Sequence, residues 1–458
     1  MTASTPAAPL RAGFLFNESR PRSTHAHWTR SGGRAQLFVV NGSRIFDIDD
    51  TTLHALEAAR IEGDASVLAQ LAELGLEAPP YVDDTALKSP PLHALSLAIA
   101  QKCNLGCTYC YASQGDFGGP AKNMSPATAL KSVELLIQGA APGDRVHLTF
   151  LGGEPLANRA GLREATEYAA QLAAQRGVKI GYAITTNGTL LTEADGEFFE
   201  QHGFAVTLSL DGLREQHDRQ RPFKNGRGSF DQIMERVQPL LAMQRQMQVS
   251  VRATVTPDNL QLREALEHFL GLGFHSVGFS PLLRSSNNQG ELGADELAAM
   301  LDAMVECGLE FEQRIANGQR YAFTNVVNAM RELHHGTHRP YPCGAGAGYL
   351  GVSADGQLAA CHRFVGDEVG AMGDLASGID RTLQNAWLAE RHVHRQSPCN
   401  GCWARYLCAG GCHHEVIARG RPACDFIRGW LLYSLQAYGR LLQRVPSYFE
   451  ENGTHDRA

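Results

Sequence analysis

The sequence predicts an α/β protein: a partial (β/α)6, TIM-like barrel between a small N-terminal α+β module and a C-terminal cysteine-rich domain. Three observations predict it. From about residue 90, short apolar runs alternate six times with amphipathic stretches, the pattern of parallel strands with helices packed outside. Before that, two apolar runs meet at Asn41-Gly42, a strong hairpin signal. After it, seven of the eleven cysteines fall between Cys343 and Cys424, in a segment dense in Gly and poor in periodicity.

The elements follow in order. The first 30 or so residues are rich in Pro, Arg, Ser and Thr and are expected to lack order. QLFVVNGSRIFDID then forms the hairpin. Asp49, Asp50 and Thr51 cap a helix running through Ala59, and Ser66 begins another with apolar residues at helical spacing. The Pro-containing stretch APPYVDD closes this module, residues 1–88. Barrel strands are expected at Ala94–Ala100, Val146–Leu151, Ile180–Thr185, Ala205–Leu210, Val249–Val255 and Val277–Phe279. Helical patterns at Pro126–Gly139, Ala160–Arg176 and Pro257–Leu272 lie between them. Six units rather than eight imply an open barrel, residues 89–310, with active-site groups at the C-terminal strand ends. A helical linker (311–340), the cysteine-rich domain (341–430) and a closing helix (431–458) complete the chain. The cysteine-rich segment reads as too aperiodic for a large apolar core and is expected to organise around metal.

Composition bounds the partners. Hydrophobic residues at 43% and charged residues at 19% give an ordinary globular balance. A net charge of −7 supplies no electrostatic reason to bind nucleic acid. No run approaches the ~20 apolar residues that span a bilayer, and the N-terminus lacks the apolar core of a signal peptide. The expectation is a cytoplasmic protein with neither a nucleic-acid nor a membrane partner. In a reducing compartment the cysteines read as metal or cluster ligands rather than disulfides.

CNLGCTYC places Cys103, Cys107 and Cys110 at CxxxCxxC spacing directly after the first barrel strand. Three thiolates can hold three irons of a [4Fe–4S] cluster and leave the fourth open. A zinc site is the alternative, but zinc takes four ligands, usually in paired CxxC spacings, and no fourth lies nearby. Residues 101–112 resemble the radical S-adenosylmethionine signature, including Tyr109 just before the last cysteine. The resemblance covers roughly residues 90–290. It implies that the open iron binds S-adenosyl-L-methionine, whose one-electron cleavage yields a 5′-deoxyadenosyl radical that abstracts hydrogen. Gly152-Gly153-Glu154-Pro155 resembles the family's GGEP motif, which implies that Glu154 meets the cofactor's ammonium and the glycines allow close backbone approach. Thr186 and Asn187 end the third strand, Ser209 and Asp211 the fourth, and Arg252 lies in the fifth. By the same resemblance these offer contacts to the cofactor's carboxylate and ribose. Each also has a plain reading as turn or strand-end chemistry.

The later cysteines are Cys343, Cys361, Cys399, Cys402, Cys408, Cys412 and Cys424. This pattern resembles the SPASM domain that follows the barrel in many peptide-modifying radical enzymes. The resemblance implies two auxiliary [4Fe–4S] clusters, three in all. Cys399, Cys402, Cys408 and Cys424 would hold the outer one, and Cys343, Cys361 and Cys412 the inner one, with His362 a weak candidate for its fourth iron. A zinc ribbon on Cys399, Cys402, Cys408 and Cys412 is the alternative, and it leaves Cys343, Cys361 and Cys424 unused. Cys307 reads as a buried small hydrophobe.

The segments CGAGAGYLGVSADGQLAACHRFVGDEVGAMGDL and CNGCWARYLCAGGCHHEVIARGRPACDFIRGWL resemble thioether-forming enzymes, the six-cysteine-peptide maturases and the maturases of quinohemoprotein amine dehydrogenase. That resemblance implies a ribosomally made peptide or small subunit as substrate, crosslinked from Cys to a carbon of Asp or Glu. It also implies a low-potential electron donor such as flavodoxin or ferredoxin. Anaerobic sulfatase maturation, which makes formylglycine, is the rival, but those enzymes carry Asp where this chain has His362. A non-catalytic iron–sulfur scaffold is the alternative of another class, and it has no use for GGEP. His217-Asp218 with Arg219 and Arg221 reads as a solvated loop or a substrate contact. His413, His414 and Glu415 read as structural or substrate-facing. The N-terminal module resembles leader-binding domains, in which an extended peptide adds a strand to a sheet edge; a structural cap is the alternative. The sequence names no catalytic acid or base.

Overall fold

The computed structural model describes residues 11–31, 33–77, 82–83 and 85–452. Part of the N-terminal stretch expected to lack order is folded: helix α1 (Ala12–Glu18) and strand β1 (Ala26–Ser31) precede the hairpin. The first ten residues and most of APPYVDD lie outside the described residues. Strands β2 (Arg34–Val39) and β3 (Arg44–Ile48) flank Asn41-Gly42, with Gly42 at φ 79°, a turn conformation glycine adopts without strain. β1 adds to β2, giving a three-stranded antiparallel sheet in the order β1-β2-β3. Helices α2 (Asp50–Glu62) and α3 (Asp64–Glu73) cover one face. Asp49 caps α2, accepting from the Thr52 N–H at 2.7 Å. Trp28, Leu37, Leu56, Val67 and Leu71 form a core private to this module. Phe38, on the other face of β2, belongs to the main core.

The barrel begins with β4 (Ala94–Gln101), to whose end the two-residue β5 (Lys122–Asn123) pairs antiparallel. It continues with β6 (Arg145–Gly152), β7 (Lys179–Thr186), β8 (Ala205–Ser209), β9 (Gln248–Val255) and β10 (Val277–Pro281). Neighbours from β4 and β6 through β10 are all parallel. Helices α4 (Pro126–Gln138), α5 (Arg159–Arg176), α6 (Glu193–Gln201), α7 (Arg214–Gln220), α8 (Phe230–Ala242) and α9 (Leu262–Gly271) make the crossovers. Helices α10 (Ala294–Ala316) and α11 (Thr324–His334) follow, and α10 runs unbroken through the division drawn at 310/311.

The cysteine-rich segment departs most from expectation. Strand β11 (Tyr349–Val352) pairs parallel with β4, and β12 (Gln357–Ala359), β13 (Ala371–Asp374) and β14 (Gly378–Ile379) extend the sheet antiparallel. The sheet therefore reads β10-β9-β8-β7-β6-β4-β11-β12-β13-β14. Leu350, Val352, Leu358 and Phe364 are buried in the barrel's own core, so this segment does contribute an apolar interior. Helices α12 (Arg381–Arg391), α13 (Arg405–Cys408), α14 (His413–Arg419), α15 (Cys424–Arg444) and α16 (Ser447–Asn452) complete the chain. The closing helix begins at Cys424, not at 431, and packs against α1, α10 and α11. Trp403 Nε1 donates to Ser19 O at 2.7 Å, which ties the N-terminal segment to the cysteine-rich one. No helix among the described residues is long and apolar enough to cross a membrane.

Candidate active site

Cys103, Cys107 and Cys110 sit on the loop leaving the C-terminal end of β4, where a (β/α) fold carries its chemistry. Burial pushes the Cys107 thiol up to about 12; Arg221 opposes this, and the neighbouring Cys110 and Cys103 add to it. Burial likewise raises Cys103, with Cys110 and Glu154 contributing. The three partly buried cysteines thus sit close enough to act on one another. The loop is held there by glycines. A Cβ on Gly152, at φ 137°, would lie 2.3 Å from Ala100 O, and one on Gly153 would lie 2.3 Å from Lys102 O. The close approach permits backbone bonds from Gly153 N to Ala100 O (2.8 Å) and from Glu154 N to Lys102 O (2.9 Å). These glycines serve the contact between the β6 end and the cysteine loop.

Glu154 is wholly buried. Its Oε1 accepts from Thr186 Oγ1 (2.7 Å) and Leu156 N (3.0 Å), and its Oε2 from Asn187 N (2.8 Å). Burial raises its pKa, and those three donors pull the other way. A carboxylate offers about four lone-pair sites, so roughly one is left for a cation. Asn187 Nδ2 donates to Asn104 Oδ1 (3.0 Å) and lies 3.7 Å from Cys103 Sγ, while its Oδ1 accepts from Thr189. Thr186 and Asn187 therefore link the β7 end to Glu154 and to the cysteine loop.

The structure places Tyr109 and Asp211 against each other. The Tyr109 hydroxyl donates to Asp211 Oδ2 and accepts from Arg221 Nη1 at 2.6 Å. Arg221 lies 3.7 Å from Asp211. Asp211, at 0% exposure, also accepts from Thr254 N at 2.8 Å. Its carboxylate thus faces Tyr109, Arg221 and the β9 backbone. Ser209 and Arg252 are register partners on β8 and β9, and Arg252 donates to Ser280 Oγ.

The His217 segment is not a solvated loop. It forms α7, with His217 and Arg221 buried. Asp218 Oδ1 accepts from Ser229 N (2.7 Å) and Phe230 N (2.9 Å), capping α8. Arg221 is the site residue that sequence reasoning left in a loop. One partner, Asp211, is ten residues away, but the other, Tyr109, lies 112 residues away, and no local pattern announces it.

The later cysteines form two further groups. Burial pushes Cys408 up to about 12, the Gly410 N–H opposing and Cys399, Cys402 and Cys424 adding. Cys399 feels Cys424 and Cys402, and Cys402 feels Cys424. All four line a cavity of about 110 Å³, which Cys412 also reaches. Burial pushes Cys361 up to about 12, the Arg363 N–H opposing, with Cys412 and Cys343 adding. Cys343 in turn feels Cys412. Cys412 thus lies between the two groups, reaching the cavity of one and acting on Cys343 and Cys361 of the other. Cys307 is buried in α10. Among the described residues, no three His, Cys, Asp or Glu side chains converge tightly enough for a single metal ion. An all-sulfur donor set in three groups fits iron–sulfur clusters in chemistry.

His362 points toward the barrel. Its Nδ1 lies 2.8 Å from the Tyr349 hydroxyl, which lies 2.8 Å from Ser96 Oγ on β4. His413 packs on Trp387 and His414 on Phe364, both as edge-to-face pairs.

Residues 97–270 match the family described as the Radical SAM superfamily. A serine-type anaerobic sulfatase-maturating enzyme of Klebsiella aerogenes is 29% identical over 349 residues, 73% of this chain and 82% of that one. The solved structure of native anSMEcpe with bound AdoMet is similar at a TM-score of 0.65 and 19% identity, covering 78% of this chain and 100% of that one. Streptococcus suis SuiB bound to precursor peptide SuiA is similar at a TM-score of 0.53 and 16% identity, covering 87% and 97%. At these identities the two structures speak to the fold alone, and the fold is this α/β one.

Proposed function

We propose that this chain, a radical S-adenosylmethionine enzyme, is a peptide or protein maturase forming Cys-to-carbon thioether crosslinks within its substrate. The observation that carries the reading is the placement of ten of its eleven thiols in three sets, one on the loop leaving β4 and two in the cysteine-rich segment.

Cys103, Cys107 and Cys110 would hold the cluster that binds S-adenosyl-L-methionine. Cys399, Cys402, Cys408 and Cys424 would hold a second [4Fe–4S] cluster, and Cys343, Cys361 and Cys412 a third with an iron to spare. When bound, cluster and cofactor together supply one-electron hydrogen abstraction from carbon. The chain's own part is placement. Glu154 presents its remaining lone pair to the cofactor's ammonium, and Thr186 and Asn187 fix that carboxylate. Ser209 and Arg252 offer polar groups to the carboxylate and ribose. Tyr109, Asp211 and Arg221 brace the cysteine loop from below.

Joining a thiol sulfur to a carbon removes one hydrogen from each and leaves the product two hydrogens lighter. The substrate class is a ribosomally made peptide or small subunit, such as that of a quinohemoprotein amine dehydrogenase. Reducing electrons would come from a flavodoxin- or ferredoxin-like donor. A peptide substrate is supported by the fold-level neighbour SuiB, which is solved with its precursor peptide. A groove of about 440 Å³ runs beside β3, lined by Arg44 to Asp47, His334, His335 and Gln443, and suits an extended leader adding to that edge. The double variant R44E/D47K should weaken precursor binding, and unchanged affinity rejects the leader role.

A second reading, formylglycine formation, is favoured by the 29% identical sulfatase-maturating relative. Oxidation of Ser to the aldehyde also removes two hydrogens, so mass alone does not separate the two. The test is coexpression with a candidate substrate, followed by thiol alkylation and hydrazide labelling. A product lighter by two hydrogens that resists alkylation and ignores hydrazide supports the thioether. Hydrazide labelling supports the aldehyde, and unmodified mass counts against both.

A further inference from the structure

We propose that Arg363 raises the reduction potential of the iron–sulfur group at Cys343, Cys361 and Cys412. The proposal rests on reading those three cysteines as cluster ligands.

One cation reaches a thiol of this group. Arg363 lies two residues after Cys361, and its Nη1 donates toward Cys412 Sγ at 3.7 Å. The side chain is 19% exposed, so its charge acts in a poorly screened setting. The same Nη1 donates to Glu415 Oε1 at 2.7 Å. On its other side the guanidinium lies 5.5 Å from the ring centroid of Tyr111, the residue after Cys110. Its buried Nε has no partner among the described residues. The cation is thus fixed between the first cysteine loop and the Cys412 sulfur, with Glu415 as its counter-ion.

Hydrogen bonds to cluster sulfurs and nearby net charge set the reduction potential. A cation donating to a ligand sulfur stabilises the more negative, reduced form. Without Arg363, Cys412 loses its donor and Glu415 is left as a bare negative charge. Both changes push the potential down. Without the charge on Glu415, the cation is unopposed and the potential rises. A merely structural ion pair does not produce opposite signs from its two halves.

The test uses the full chain, reconstituted anaerobically, with iron analysis and potentiometric titration followed by electron paramagnetic resonance. The triple variant C343A/C361A/C412A identifies the relevant signal by losing it along with about four of about twelve irons. R363Q is expected to retain iron and to lower that midpoint by a tenfold change in the reduction equilibrium, about 59 mV for one electron. R363K recovers part of the shift, and E415Q raises the same midpoint. The other two midpoints hold. The proposal is overturned if R363Q and E415Q move the midpoint in the same direction, if neither moves it, or if all three midpoints move together. If R363Q loses iron, E415Q decides alone, and an unmoved midpoint overturns the proposal. If the triple variant loses no iron, the cluster reading itself fails, a separate result visible in the metal count.

Discussion

The indole of Trp403 stacks on the imidazole of His27, with ring centroids 4.3 Å apart and planes 12° from parallel. This contact joins the second residue of β1 to the residue after Cys402. His27 is 1% exposed, and neither ring nitrogen has a hydrogen-bond partner among the described residues. Burial lowers its pKa from 6.5 to about 3, with Arg22 and Arg428 adding to the effect.

The first prediction follows from that shift. The unfolded chain takes up a proton at His27 below pH 6.5, and the folded chain refuses it until about pH 3. Stability is therefore lost as pH falls through that window, at up to about 1.4 kcal/mol per pH unit. H27F keeps the stack and removes the titration. Melting at pH 7.5 and at pH 5 should show a smaller loss for H27F, by about 2 kcal/mol. Equal losses reject the assignment.

Gly153→Ala should cost the first iron site. The added methyl meets Lys102 O at 2.3 Å and Gly115 Cα at 2.8 Å, both backbone. The cysteine loop has to move, so the variant should bind about four fewer irons per chain than wild type. A full iron count shows that the loop yields.

Arg221→Met should destabilise more than Tyr109→Phe. Loss of Arg221 leaves the fully buried Asp211 carboxylate without its cation, at a cost of roughly 3–5 kcal/mol. Loss of the Tyr109 hydroxyl removes one donor, at about 1–3 kcal/mol. Urea midpoints check the order, and a reversed order places the charge balance elsewhere.

Glu154→Gln should destabilise the chain before any cofactor is added. The new amide places a donor among the Thr186, Leu156 and Asn187 donors, at a cost of about 1–3 kcal/mol. Melting of the cofactor-free variant measures this directly. An unchanged midpoint means the three bonds carry no net stability.

The barrel was legible because its strands are buried on both faces and read as nearly continuous apolar runs. In β4 every residue from Leu95 to Gln101 is buried. YLGV and QLA were not legible, because they are short and become strands only against the β4 edge. β1 was missed for a similar reason. AHWTRS carries one large apolar residue, and Trp28 has meaning only beside α2, where its Nε1 donates to Glu57 at 2.7 Å. The cysteine spacings stand out in the sequence because they are local. The Tyr109 partner of Arg221 is not local. Nor does any pattern show that Asp211 turns toward Tyr109, or that Arg363 reaches from Cys412 to Tyr111.

The pairing of β4 with β11 bears on how the chain is made. Ser96 and Tyr349, hydroxyls 2.8 Å apart, are separated by 253 residues. At about 5–20 residues per second, a ribosome needs on the order of 10–50 seconds to deliver the second strand after the first. Even once β6 has covered one side, β4 keeps an open edge until β11 arrives, the kind that recruits stray strands. Truncated or stalled nascent chains should therefore stay bound to chaperones or aggregate.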